Sequence, residues 1–242
     1  MIKDLVTAIR FLTVLPAGGK AHAMDRLAPS TRYFPLVGVM IAAMALAGYY
    51  GAVMLFPVRV AAFFLVLIPV LVTGGLHLDG FGDFCDGFFG GHGREAILRI
   101  MKDTYTGVFG VAGIVLILLM KYILLSEIPG LVPLGFLLAF AGSRWIQVAI
   151  SFSLPYAGTG QGLGENVAKK VRGTDLVVAT LFFLIPLVFC GRKALPVIAG
   201  VLIFLLLFSR FVRSRIGGIT GDVIGAASEL TEVWILFVYA AT

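Results

Sequence analysis

Apolar residues dominate this chain in long runs broken by short polar loops. Ile2, Leu5, Val6, Ile9 and Leu12 recur at helical spacing while Lys3, Asp4 and Arg10 fall elsewhere on the wheel, which predicts a short amphipathic helix lying on a membrane surface. Beyond it, stretches approaching the roughly 20 apolar residues needed to cross a bilayer run from Phe34 to Phe56, Val58 to Leu78, Thr106 to Leu125 and Leu131 to Leu154. Three more follow, from Asp175 to Cys190, Ala194 to Phe208 and Val223 to Ala241. The fifth and sixth are short, so merging them or making one re-entrant lowers the count. The pattern predicts an all-α, polytopic transmembrane helix bundle of about seven spans, with six as the alternative. No Ser/Pro-rich or charged linker divides it, so residues 1–242 read as a single integral membrane domain. Asp4 and Arg10 interrupt the first apolar stretch, unlike the core of a cleaved signal peptide.

Composition sharpens this. The chain is 60% hydrophobic and 13% charged, with a mean hydropathy of +1.03, which calls for lipid as solvent. A formal charge of +6 would suggest nucleic acid in a soluble protein. Here the cations sit in the loops, so membrane lipid is the expected partner and nucleic acid is not. With the N-terminus and the loops after spans two, four and six taken as one side, that side holds 14 of the 19 Lys and Arg, including Lys20 and Lys169. The other side holds only Arg59, Arg192 and Lys193, and the remaining two, Lys121 and Arg144, lie inside spans. The asymmetry places the long loops in the cytoplasm and the chain in a cell inner membrane, crossed several times. Cys85 and Cys190 stand far apart beside or within apolar segments, which predicts neither a disulfide nor a thiolate metal site.

The acids are less easily explained by topology. Asp79, Asp83, Asp86, Glu95, Asp103, Glu165, Asp175 and Asp222 all lie in or beside loops on the basic side, and only Glu127 lies opposite. Acidic residues contribute little to orientation, so their gathering on one face points to a site there. The densest feature is the stretch from His77 to Gly87. If it is helical, Asp79, Asp83 and Asp86 at i, i+4 and i+7 fall within an arc of about 60° and converge. Like charges about 4 Å apart repel by roughly 4 kcal/mol at an effective dielectric near 20, and no cation follows before Arg94. A divalent ion resolves the conflict, and an oxygen-only donor set favours Mg2+. The bland alternative is a solvated helix face, or a glycine-rich loop with no shared face. His77 falls about 160° from Asp79 on the wheel and reads as buried or facing substrate rather than as a ligand.

Farther on, the glycines from Gly87 to Gly93 predict a loop whose backbone can approach a ligand, followed by Arg94, Arg99, Lys102 and Asp103. These cations suit a diphosphate beside a metal, although for Arg94 and Arg99 the positive-inside rule is an equal explanation. The last span carries Asp222, Glu229 and Glu232, expensive in a bilayer and therefore expected to face the bundle interior. Arg144 or Lys121 offers Glu229 or Glu232 a purely structural partner.

Five blocks resemble the cobalamin synthase family, the adenosylcobinamide-GDP ribazoletransferases. They are Phe11 to Pro16, Arg32 to Gly38, Gly74 to Gly87, Ile100 to Gly110 and Gly218 to Glu232, in the family's order over nearly the whole chain. From about Pro155 to Arg210 the likeness is one of hydropathy alone. Gly82 stands where the family pattern more often has Ala, and Phe84 and Cys85 where it more often has small or branched residues, while the acids stay intact. The resemblance implies that a ribose hydroxyl of alpha-ribazole or alpha-ribazole 5'-phosphate attacks the cobinamide-side phosphorus of adenosylcobinamide-GDP, releasing GMP, with Mg2+ as the metal. On that basis Asp79, Asp83 and Asp86 are expected to hold the metal, and Asp86, Asp103 and Glu229 to act in catalysis. His77, Arg94, Arg99, Lys102, Asp222 and Glu232 are expected to bind substrate, with Asp103, Asp222, Glu229 or Glu232 alternatively supplying a second metal shell or accepting the hydroxyl proton, and a homo-oligomer is compatible with the pattern. Two competing classes are a membrane transporter and a lipid-type CDP-alcohol phosphotransferase. The acids' confinement to one face argues against the first, and the absence of an Arg after the second aspartate argues against the other.

Overall fold

A computed structural model describes residues 2–18, 26–128, 130, 132–158 and 170–242. Lys20, Glu165 and Lys169 of the charge pattern lie outside the described residues. Helix α1 spans Ile2–Leu12 and is followed by the short α2, Leu27–Ser30, and a 3-10 turn, Thr31–Tyr33. Then come α3 (Phe34–Val53), α4 (Val58–Thr73), α5 (Leu76–Gly90), α6 (Arg94–Ile100), α7 (Val108–Glu127) and α8 (Leu134–Ser153). The chain closes with α9 (Gly173–Leu187), a 3-10 segment Val188–Lys193, α10 (Ala194–Ile216) and α11 (Gly221–Ala241). Among the described residues there is no strand; a single bridge pairs Tyr156 with Ile219.

Five helical stretches are long and apolar enough to cross a membrane, and a sixth joins them if α4 and α5 count as one broken span. The longest, Gly173–Ile216, has 44 residues, about 66 Å at 1.5 Å per residue against a hydrocarbon core of about 30 Å. It breaks at Gly191, whose φ of 55° lies in the left-handed region. The contacts on either side of the break show that it makes two passes. Asp175 near its start pairs with Arg32, and Arg215 near its end donates to the Phe88 carbonyl oxygen, while Lys193 beside the break reaches the Tyr239 carbonyl oxygen at the far end of α11.

The sequence pattern runs the second span straight through from Val58 to Leu78, but in the structure it stops at Thr73. Gly74 and Gly75 both take positive φ, 61° and 73°, and the chain turns 92° into α5. Two consecutive left-handed residues are tolerable only because both are glycine. The helix then continues to Gly90, through glycines that read as a loop in the sequence.

The core is built around α8 and α11. Of the 20 residues of α8, 16 are buried, from Gly135 to Ser151, which makes it the central pillar. Small residues allow the close crossings: a Cβ on Gly38 would fall 2.3 Å from the Phe140 carbonyl oxygen, and one on Gly80 would fall 2.9 Å from the Asp222 Cα. Elsewhere, Arg59 and Glu127, both on the sparsely charged side of the sequence pattern, pair at 3.1 Å. These contacts, with Phe11 of α1 stacked on Phe34 beside Asp79 and Asp222, set the end of α1, α5, the start of α9, the end of α10 and the start of α11 on one face of the bundle.

Candidate functional site

The acidic face is assembled where α5 meets the first turn of α11. Thr220 caps α11 by accepting a hydrogen bond from the Val223 amide at 3.3 Å, and Asp222 follows in the first turn, where a carboxylate is stabilised by the helix dipole. Gly80 faces the Asp222 backbone, and a Cβ on Gly225 would sit 3.1 Å from the His77 carbonyl oxygen. The two backbones thus approach closely enough to set Asp222 beside the carboxylates of α5. The strongest like charge felt by Asp83 is that of Asp222, ahead of Asp79 and Asp86. Asp79 is exposed and Asp83 half-buried, and among the described residues no Lys or Arg forms an ion pair with Asp79, Asp83 or Asp222.

The three aspartates of α5 do not converge as their spacing suggests. The segment is helical, but Asp86 is 7% exposed and turned toward α7. Its two oxygens accept the Gly107 and Gly110 amides at 2.7 and 2.8 Å. These are free donors of the first turn of α7, so Asp86 acts as a carboxylate cap supplied by a neighbouring helix. A Cβ on Gly107 or Gly110 would fall 2.5 or 2.4 Å from an Asp86 oxygen and push the carboxylate off these amides. The i+7 position was thus captured by a helix end that the wheel does not see. Among the described residues, no three His, Cys, Asp or Glu side chains gather closely enough to enclose a metal ion.

Glu229 and Glu232 are also placed away from this face. They lie about 10 and 15 Å along α11 from Asp222, at 1.5 Å per residue. Lys121 Nζ donates to Glu229 at 2.5 Å and to Glu232 at 2.6 Å, and Arg144 donates to the second Glu232 oxygen at 2.9 Å. Two cations and two anions therefore neutralise one another inside the bundle, and the expected catalytic place of Glu229 and substrate-binding place of Glu232 are not where the structure puts them. Arg144 also donates to Ser143 and Ser228 at 2.8 and 2.7 Å, and Gln147 donates to Ser228 at 2.9 Å. Gln147 went unnoticed in the sequence, where a single amide in an apolar span carries little signal.

The basic elements lie on the flank. Arg94 and Arg99 line an open groove of about 790 Å³ over α6, and Arg94 reaches the Ala157 carbonyl oxygen at 3.4 Å. Lys102 and Asp103 are exposed in the loop before α7, with Asp103 accepting the Tyr105 amide at 3.2 Å. His77 is 4% exposed and, with Asp79, Gln147 and Asp222, lines a separate cleft between α5 and α11.

This arrangement suits a polyanionic substrate brought in with a hard cation. The donor set is carboxylate oxygen, it has no Lys or Arg ion-pair partner among the described residues, and Mg2+ is commonly held by one or two carboxylates while water and phosphate complete its shell. Asp79 and Asp83 are carboxylates of that kind on an open face, and no closed cage forms around them among the described residues.

Comparison with known proteins agrees with the five-block resemblance and extends it through the middle of the chain. A relative from Chlorobium phaeobacteroides is 40% identical over 99% of both chains and carries the name adenosylcobinamide-GDP ribazoletransferase. Relatives of the same name from Vibrio cholerae and Desulforamulus reducens are 34% and 35% identical, covering 97% and 98% of this chain and 92% and 96% of their own lengths. No solved structure matches. The family model described as cobalamin-5-phosphate synthase matches residues 4–240, and the chain belongs to that family.

Proposed function

We propose that this protein is an adenosylcobinamide-GDP ribazoletransferase, working at the cytoplasmic face of a cell inner membrane and dependent on Mg2+. The observation that carries this reading is the acidic face of Asp79, Asp83 and Asp222, without a Lys or Arg partner among the described residues, in a chain whose relatives bear that name along nearly their full length. A ribose hydroxyl oxygen of alpha-ribazole, or of its 5'-phosphate, bonds to the cobinamide-side phosphorus. The bond from that phosphorus to the bridging oxygen breaks, GMP departs with that oxygen, and the hydroxyl proton is released.

Such transfers depend mainly on positioning and on neutralising charge. Asp79 and Asp83 would hold Mg2+, which when bound supplies Lewis-acid neutralisation of the diphosphate. Asp222, fixed at the start of α11, stands beside them to take up the hydroxyl proton. Lys102 and the Arg94–Arg99 groove lie on the same flank and bear on the departing nucleotide. Asp86 tethers the start of α7, and with it the loop carrying Lys102 and Asp103, to α5. The transporter and CDP-alcohol readings are not favoured, because the full-length relatives carry the ribazoletransferase name.

The test uses membranes containing the full chain, adenosylcobinamide-GDP and alpha-ribazole, with GMP and the corrinoid product separated chromatographically. The expected result is GMP release matched by product in Mg2+ and none after chelation. Undiminished release in a chelator removes the metal, and no release under any divalent ion removes the activity.

A further inference from the structure

The acidic face explains how a diphosphate could be held, but not what sits in the neighbouring cleft. That cleft has a volume of about 160 Å³. Phe11, Phe34, Leu76 and Ile224 form its apolar wall, and Asp79 and Asp222 border it. Phe11 and Phe34 stack with ring centroids 5.8 Å apart and planes within 12°, giving the wall a flat aromatic edge. Its buried end holds two polar side chains. Gln147, 2% exposed, is anchored through Ser228 to the ionic cluster and stands beside His77, whose Nδ1 has no hydrogen-bond partner among the described residues. A buried imidazole nitrogen without a partner is costly, and it becomes explicable if a ligand supplies the missing hydrogen bond.

Resting on the ribazoletransferase reading, we propose that this cleft is the subsite for the heteroaromatic base of the acceptor nucleoside. A benzimidazole is flat, largely apolar along its outer edge, and carries one free ring nitrogen once the other bears ribose. That chemistry matches a small apolar cleft with an aromatic wall and one unsatisfied imidazole. Guanine matches it poorly, since its edge carries several donors and acceptors that Leu76 and Ile224 would leave unpaired. A corrin ring is far too large. Seating the base here also directs its ribose toward Asp79 and Asp222, the border of the cleft shared with the acidic face.

The experiment uses the full chain purified in detergent, with saturation-transfer NMR of alpha-ribazole and of benzimidazole, and GMP as competitor. Phe11→Leu removes the partly exposed ring and Ile224→Phe fills the space; neither replaces His77 or Gln147 at the buried end. Both variants are expected to weaken ribazole binding at least tenfold and to raise its KM similarly, with the KM for adenosylcobinamide-GDP within twofold of the parent. Benzimidazole should displace ribazole, and GMP should not. Unchanged ribazole affinity in both folded variants, or displacement of benzimidazole by GMP, overturns the assignment. The two readings fail separately. Ribazole binding without GMP release leaves the cleft standing and removes the activity, whereas normal GMP release with ribazole affinity insensitive to both variants does the reverse.

Discussion

Helix α11 carries acids into two regions that treat negative charge in opposite ways. At its first turn Asp222 joins Asp79 and Asp83, and among the described residues no Lys or Arg pairs with them. Two and three turns farther in, Glu229 and Glu232 are buried against Lys121 and Arg144 in a balanced cluster. The difference lies in what faces each acid. Inside the bundle, unpaired charge has no solvent, so the fold must supply the counter-ion itself. At the bundle's mouth water can support the acids until a cation and a polyanion arrive, and a built-in counter-ion there would compete with the ligand. The same residue type thus signals packing in one place and binding in the other, and the polar link from Glu232 through Arg144 and Ser228 to Gln147 joins the two regions.

The largest effect expected from breaking this contrast is on stability. Glu232→Ala leaves Arg144 without its ion pair and Lys121 with only Glu229, and should cost about 3–5 kcal/mol, read as a lower midpoint of thermal unfolding in detergent. The double variant Arg144→Met with Glu232→Met should recover much of that loss, because no orphan charge remains. A double variant no more stable than the single one would show that the cluster acts through packing rather than charge.

Asp83→Asn should do the opposite, leaving the unfolding midpoint near the parent's or raising it through relief of like-charge repulsion. GMP release should fall by at least roughly 100-fold, about 2.7 kcal/mol at the transition state. Full activity in that variant would remove Asp83 from the proposed metal site. A third change probes the hinge between the regions. Gly80→Ala drives a Cβ to 2.9 Å from the Asp222 Cα and should force α11 away from α5, costing about 1–3 kcal/mol. Activity should fall further than stability alone explains, measured as GMP release per folded protein. The smallest effect belongs to Asp86→Asn, which keeps one acceptor but loses the charge that caps α7. It should cost about 1 kcal/mol, with a modest rise in KM for adenosylcobinamide-GDP if the tethered loop touches the nucleotide.

How much of this was legible beforehand differs by region. The helices α1, α3, α7, α8 and α11 follow directly from apolar run length and periodicity, because a chain with this composition has few other ways to satisfy its backbone in lipid. The glycine pair at Gly74 and Gly75 was visible, but nothing local fixes a 92° turn, since glycine permits a left-handed backbone without demanding it. At the site, spacing placed Asp79, Asp83 and Asp86 on one helix, as observed, but not the partners each of them meets. Asp86 left the group because Gly107 and Gly110, more than 20 residues later, offer amides that a helical wheel omits. Asp222 of α11, far away in the sequence, is instead the strongest like charge beside Asp83.

The sequence by itself determined that the chain is an all-helical membrane protein of the cobalamin-5-phosphate synthase family, since hydropathy, helical period and a full-length match are properties of residues read in order. Only the tertiary structure decided which acids stay open and which are neutralised. That choice depends on long-range approaches, of Lys121 to Glu229 and of Gly80 to Asp222, and a Coulomb interaction is set by distance in space rather than by separation along the chain.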